Sequence, residues 1–111
     1  MSILHRDASP EIDVAELERL MESGDVRLLD VREVWEFQRV RVPGAVNIPL
    51  GQLVEQTPNL LRDKPYAVIC QSGHRSLSAT EYLLGRGFEG TVSVKGGTGQ
   101  WTITGRPVER G

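Results

Sequence analysis

The sequence contains one cysteine, no large excess of charge of either sign and no long run of apolar residues. The single cysteine, Cys70, excludes a disulfide framework within the chain and any paired-cysteine redox or zinc motif. A net charge of −2 provides no field for binding nucleic acid. No segment approaches the roughly 18 apolar residues of a membrane span, and the first residues lack the apolar core of a signal peptide. We therefore expect a cytoplasmic protein that binds neither nucleic acid nor membrane.

The length of 111 residues fits a single domain, residues 1–111, with its core over about 10–108. Hydrophobic residues make up 39% of the chain and it has 12 glycines, which is typical of a folded globular domain. His5, expected at the surface, and His74 are spaced too irregularly from Cys70 for a metal site. Gly96–Gly99 lacks the Lys-Ser or Lys-Thr pair of a phosphate loop and is predicted to form a tight turn.

Helix and strand patterns alternate along the chain. In order, the sequence predicts a helix over about 14–22, strands over 27–31 and 46–48, a strand over 66–70, a helix over 75–86 and a strand over 91–94. Short helical connections and a final turn complete the pattern, and Trp35 and Trp101 are predicted to pack in the core or at its rim. This alternation indicates an α/β fold with a mainly parallel central sheet flanked by helices on both faces.

Cys70 follows the most apolar of these strands and precedes a helix, with a short polar loop between them. That loop consists of Gln71, Ser72, Gly73, His74 and Arg75. At the carboxyl end of a parallel strand, successive backbone N–H groups and the positive end of the helix dipole lower the pKa of a cysteine thiol. The sequence therefore predicts that Cys70 is a nucleophile in an anion-binding loop.

The segment Cys-Gln-Ser-Gly-His-Arg-Ser, residues 70–76, resembles the active-site loop of the rhodanese family. Four further segments resemble family motifs in the same order: Asp-Val-Arg at 30–32, Glu-Phe at 36–37, Pro-Gly-Ala-Val-Asn-Ile-Pro at 43–49, and Lys-Gly-Gly at 95–97 with Trp101. The resemblance covers residues from about 10 to 108. The resemblance implies a rhodanese-like fold of three layers, with the sheet between two layers of helices.

The resemblance also implies an activity, that of a thiosulfate sulfurtransferase. Cys70 would take the sulfane sulfur of a small anionic donor such as thiosulfate, carry it as a persulfide, and pass it to cyanide, a thiol or a protein acceptor. Neither a metal nor an organic cofactor is expected. By analogy with the family, Arg75 closes the loop, and an ion pair between Arg75 and Asp30 is favoured. Arg32 is the other supporting residue.

Two other functions remain open. A phosphatase or arsenate-type enzyme would use the same cysteine, but the phosphatase relatives have a loop one residue longer, and His74 or Glu33 would have to serve as the general acid. A non-catalytic interaction module would present the surface around Val40 and Arg41. These two residues replace the family's usual Gly-His, which implies a backbone without a positive φ there and adds a permanent charge.

Two side-chain roles are left as alternatives. His74 either tunes the pKa of Cys70 or points into solvent. Arg32, Arg39 and Arg41 either form a basic patch that attracts anionic donors or belong to an ordinary solvated face.

Overall fold

A computed structural model of the chain describes residues 10–111, so the predicted surface position of His5 lies outside the described residues. The strands are β1 (Glu11–Ile12), β2 (Arg27–Asp30), β3 (Val40–Arg41), β4 (Val46–Asn47), β5 (Tyr66–Ile69), β6 (Val92–Val94) and β7 (Glu109–Arg110). The helices are α1 (Val14–Ser23), α2 (Val34–Arg39), α3 (Leu53–Gln56), α4 (His74–Gly85) and α5 (Gly97–Ile103). Within residues 10–111, no helix has the length and apolar character needed to cross a membrane.

Five strands form one sheet in the order β1-β6-β5-β2-β4, and every neighbouring pair in it is parallel. The predicted parallel central sheet is thereby confirmed. Asp30 at the end of β2 lies opposite Ile69 at the end of β5, so the loops after these two strands emerge side by side. Functional groups collect at this edge of a parallel sheet.

The core has two halves, one on each face of the sheet. One half contains Leu29, Val68 and Cys70 together with Leu53 of α3 and Ala79 and Leu83 of α4. The other contains Leu28, Ala67 and Ile69 together with Val14 and Leu17 of α1 and Trp101 of α5. Side chains alternate between the faces along β5, and both faces are covered, which is why this strand is apolar throughout. Cys70 therefore points to the face on which α4 packs.

Both predicted long helices are confirmed, with each end within one residue of the prediction. The side chain of Asp13 accepts the N–H of Glu16 at 2.8 Å and caps α1. Gly87, with a φ of 87°, ends α4: its N–H donates to the carbonyl of Leu84, and the next N–H, that of Phe88, donates to the carbonyl of Leu83.

Two sequence predictions on the last third of the chain and on the tryptophans need correction. The predicted turn at Gly96–Gly99 is wrong, because Gly97 begins α5. Trp101 on this helix is buried, as predicted, but Trp35 on α2 is 62% exposed and does not pack in the core.

The segment that departs from the family pattern forms a small second sheet. Val40 has a φ of −158°, and no non-glycine residue within 10–111 has a positive φ, which confirms the predicted backbone. Strand β3 pairs with β7 in an antiparallel ribbon, and Nε of Arg41 lies 3.3 Å from the carboxylate of Glu109. The charge added at Arg41 is thus balanced by an acidic neighbour.

Candidate active site

The sulfur of Cys70 lies at the base of the loop between β5 and α4, in a residue that is only 1% exposed. The backbone N–H of Gly73 donates to Sγ at 3.1 Å and that of Ser76 at 3.3 Å. The hydroxyl of Ser76 is 3.4 Å from the same sulfur. Three polar hydrogens can thus converge on one atom, an arrangement that suits a negatively charged sulfur.

These contacts change the acidity of the thiol. Burial raises the pKa of Cys70, while hydrogen bonds from the Ser76 hydroxyl and from the N–H groups of Ser76, Gly73 and Ser72 lower it. The hydrogen bonds prevail, so the pKa of Cys70 lies below the usual value for a cysteine. Since the thiolate is the reactive form, the loop increases the nucleophilic fraction at neutral pH.

Gly73 gives the loop its sharp curvature. Its φ of 110° is a conformation that residues with a side chain rarely adopt. A Cβ atom at this position would also lie 3.5 Å from the backbone nitrogen of Gly96, so the loop rests against the end of β6. Directly after Gly73, the 12 residues of α4 begin, and the positive end of their dipole points toward the sulfur.

Arg75 is held by Glu36 of α2. Its Nη1 and Nη2 donate to the two carboxylate oxygens of Glu36 at 2.7 and 3.0 Å. The hydrogen bond from Arg75 lowers the pKa of Glu36 more than burial raises it. The predicted ion pair between Arg75 and Asp30 is therefore wrong, although the expectation of an acidic partner for Arg75 is confirmed. The physical reason is that Asp30 is already paired with another arginine.

That arginine is Arg32, and the pair lies behind the loop. Asp30 is 0% exposed and Arg32 is 1% exposed. Nε and Nη2 of Arg32 donate to the carboxylate of Asp30, the latter at 2.8 Å, and Nη2 also donates to the carbonyl of Val40 at 2.8 Å. Nη1 of Arg32 is 3.5 Å from Oε1 of Gln71 in the loop. Both predicted supporting residues therefore lie next to the loop, as a buried pair that supports it.

The burial of Arg32 decides whether the three arginines after β2 form a basic surface patch. A basic surface patch of Arg32, Arg39 and Arg41 does not exist, because Arg32 is inside the protein and Arg41 is paired with Glu109. His74 is exposed, with its Nδ1 3.3 Å from the hydroxyl of Ser72. Within the described residues, no hydrogen bond joins the ring of His74 to Cys70.

The first turn of α5 closes the site from the opposite face of the sheet. The N–H of Thr98 donates to the carbonyl of Cys70 at 2.8 Å, and that of Gly99 donates to the carbonyl of Gln71 at 3.0 Å. A Cβ on Gly97 would lie 2.4 Å from the carbonyl oxygen of Cys70. This close approach explains why glycines begin a helix that their low helix propensity disfavours.

Three residues of the site were not among the predicted site residues. Ser76 stood in the quoted loop motif but was given no role, and Glu36 was signalled by its position three residues after Glu33, a capping-box spacing. Ser93 of β6 contacts Ser76. Only the alternation of side chains along its strand indicates that Ser93 faces α4.

The chain is similar to known proteins over most of its length. The family model described as a rhodanese-like domain matches residues 13–104. The putative sulfurtransferase YtwF of Bacillus subtilis is 40% identical over 92 residues, which are 82% of this chain and 88% of YtwF. The putative sulfur carrier protein YrkF of the same organism is 33% identical over 94 residues, 84% of this chain, and the chain spans about half, 51%, of the length of YrkF.

A solved structure shows the same architecture. A rhodanese-related protein of Thermoplasma volcanium superposes with a TM-score of 0.79 at 35% sequence identity, over 90% of this chain and 97% of that protein. The predicted three-layer fold is confirmed by this similarity together with the two halves of the core.

Proposed function

Because this chain belongs to the rhodanese-like domain family, we propose that it is a sulfurtransferase or sulfur carrier that moves a sulfane sulfur through a persulfide on Cys70. The observation that carries the proposal is the sulfur of Cys70, which lies within hydrogen-bond reach of two backbone N–H groups and one hydroxyl at the start of α4. YtwF is named as a putative sulfurtransferase and YrkF as a putative sulfur carrier, and these names belong to the same class of chemistry.

The reaction with thiosulfate has two steps. In the first, the thiolate of Cys70 attacks the sulfane sulfur, a new S–S bond forms, and the bond to the sulfonate sulfur breaks with its electron pair, so that sulfite leaves. In the second, cyanide or a thiolate attacks the outer sulfur of the persulfide and the Cys70 thiolate is released. No net oxidation of the protein occurs, and the electrons balance without a cofactor.

The loop supplies what the intermediate needs. The outer sulfur of a persulfide carries negative charge, and the first N–H groups of a helix have no carbonyl partner within that helix. His74 and Arg75 provide such groups at the start of α4, next to the N–H of Ser76 that already donates to Sγ. We propose that they receive the outer sulfur, with a small anion as donor and a thiol or protein as acceptor.

The ion pair of Arg75 argues against phosphate chemistry at this cysteine. Both terminal nitrogens of its guanidinium are already bonded to the two oxygens of Glu36. The Glu36 carboxylate thus occupies the N–H pair between the two terminal nitrogens, and a phosphate group would be left with the remaining N–H groups of this guanidinium. The loop from Cys70 to Arg75 has six residues, whereas by the family resemblance a loop that binds phosphate is one residue longer.

The test is intact mass spectrometry of the wild type and of Cys70→Ser, before and after thiosulfate and again after cyanide. We expect the wild type alone to gain the mass of one sulfur atom, and cyanide to remove it with formation of thiocyanate. Absence of sulfur uptake from thiosulfate and from other sulfane donors would contradict the proposal and favour an interaction module. Hydrolysis of a phosphoester would favour the phosphatase alternative.

A further inference from the structure

A second buried hydroxyl lies behind the one that contacts the nucleophile. Ser93 of β6 donates from its Oγ to Oγ of Ser76 at 2.8 Å, and Oγ of Ser76 is 3.4 Å from Sγ of Cys70. Ser93 and Ser76 are 0% exposed and Cys70 is 1% exposed. The three side chains therefore form a continuous row that is almost entirely shielded from solvent.

The fold explains why these residues meet. Val92 and Val94 pack against the face covered by α1 and α5, so Ser93 between them faces α4. Strand β6 is paired with β5, the strand that ends at Ile69 directly before Cys70, and Val68 lies opposite Ser93. Ser93 is the polar exception in an otherwise apolar strand, at a position that is 0% exposed.

The hydroxyl of Ser76 has one proton and a choice of acceptors. In the first turn of a helix, a serine hydroxyl readily bonds back to the carbonyl three or four residues earlier, here that of Gly73 or Ser72. A thiolate has no hydrogen to donate, so the Ser76 hydroxyl stabilises it only if the proton of that hydroxyl is directed at the sulfur. When another hydroxyl donates a hydrogen bond to Oγ of Ser76, it holds this oxygen in place. It also makes the O–H of Ser76 a stronger donor.

We propose that Ser93 is a positioning residue for the nucleophile: its hydroxyl fixes that of Ser76, with the proton of Ser76 directed at Sγ of Cys70. The inference deepens the proposed function and rests on it only in so far as Cys70 is the nucleophile. Ser93 itself contacts neither the sulfur nor the substrate. Its influence passes through Ser76.

The ion pairs near the sulfur do not include Ser93. Arg75 is paired with Glu36, and Arg32 is paired with Asp30. The exposed titratable groups nearest the loop are His74 within it and Lys95 at the end of β6, and neither side chain forms a hydrogen bond with Ser93 among the described residues. A change in thiol reactivity can therefore be assigned to the row of hydroxyls.

The experiment measures the rate of alkylation of Cys70 by iodoacetamide against pH, followed by intact mass. For Ser93→Ala we expect the midpoint of the profile to move to higher pH, with alkylation about threefold slower on the acidic side of the midpoint. The matched control is Thr80→Val, which removes another buried hydroxyl from α4, one that has no hydrogen-bond partner within the described residues. We expect its profile to coincide with that of the wild type.

A double-mutant cycle separates a relay from a general effect on the fold. In a Ser76→Ala background, Ser93→Ala is expected to cause no further shift, because its influence passes through Ser76. An unmoved midpoint in Ser93→Ala, an equal shift in Thr80→Val, or additive shifts in the double variant would each overturn the inference. Failure of sulfur uptake by the wild type would instead contradict the proposed function, while the alkylation profiles still decide the role of Ser93.

Discussion

Lys95 carries the one lysine charge at the edge of the sheet where the loop lies. Its N–H continues the β1–β6 pairing by donating to the carbonyl of Ile12 at 2.8 Å, so its side chain leaves the sheet on the same face as Ser93. The loop passes directly beside it, because a Cβ on Gly73 would be 3.9 Å from Cα of Lys95. Lys95 is exposed and has no ion pair among residues 10–111. Arg75 and Arg32, by contrast, are both neutralised by a carboxylate.

Replacement of Lys95 is therefore expected to weaken the capture of anionic donors. We predict that Lys95→Gln lowers kcat/KM for thiosulfate about two- to threefold at low salt, and that it reduces the dependence of this rate on ionic strength. Steady-state kinetics at several salt concentrations provide the measurement. The control is Lys64→Gln, which removes the only other lysine, located before β5 at the opposite edge of the sheet. Equal losses in the two variants would count against a local role of Lys95.

Helix α5 is shaped by its contact with the end of β5. Its first residue, Gly97, has a φ of 58° and lies so close to Cys70 and Gln71 that a Cβ would meet their backbone at 2.4 to 2.7 Å. No flexible side chain can move aside there, because the obstacles are main-chain atoms. The helix and the loop consequently behave as one packed unit.

We predict that Gly97→Ala destabilises the protein by about 3 kcal/mol and slows persulfide formation, because it combines a strained φ with backbone overlap. The control is Gly24→Ala, at a φ of 74° with no atom within 4 Å of the added Cβ, where strain alone applies and about 1 kcal/mol is expected. Urea unfolding of both variants measures the difference. Equal losses of stability would show that the contact with Cys70 is unimportant.

The ion pair of Glu36 with Arg75 joins α2 to α4 and therefore contributes to the stability of the entire fold. Because the pKa of Glu36 is lowered by this pair, its contribution is fully present above the pKa of an unperturbed glutamate, 4.5, and is lost as the pH falls through the lower folded value. The carboxylate also accepts the N–H of Glu33 at 2.9 Å, which a glutamine retains.

Glu36→Gln isolates the charge, and we predict that it lowers the free energy of unfolding by about 1 kcal/mol at pH 7. The difference from the wild type should shrink below about pH 4.5 as Glu36 becomes protonated. Chemical unfolding at a series of pH values measures this difference. Glu55→Gln, on an exposed position of α3, serves as the control. A difference that stays constant down to pH 2 would contradict an electrostatic origin.

Sequence patterns predicted the elements that are long and regular. Strand β5 and helix α4 were located to within one residue, because their apolar runs and the stop at Gly87 are local signals. Strands β1, β3 and β7 have two residues each and show no periodicity. Helix α5 was taken for a turn because glycines disfavour helices, and only the hydrogen bonds from Thr98 and Gly99 to the end of β5 compensate for that preference.

The candidate site was predictable only in part, for a related reason. The loop from Cys70 to Arg75 is contiguous and carries its own motif, so its position after β5 followed from the sequence. Which acid binds Arg75 depends on the direction in which α2 presents Glu36, and the sequence alone does not contain that direction. Ser93 was missed because its role arises from packing between β6 and α4, which are distant from Cys70 along the chain.

The parallel arrangement of the sheet has a consequence for folding. Its pairings join distant parts of the chain, with Glu11 opposite Ser93 and Leu28 opposite Ala67, so closing the loops between them has a high entropic cost. The surroundings of Cys70 come from β6, α4 and α5 at once, and this is the only cysteine present. Its thiol reactivity is therefore a built-in reporter of completed folding, with no external label required.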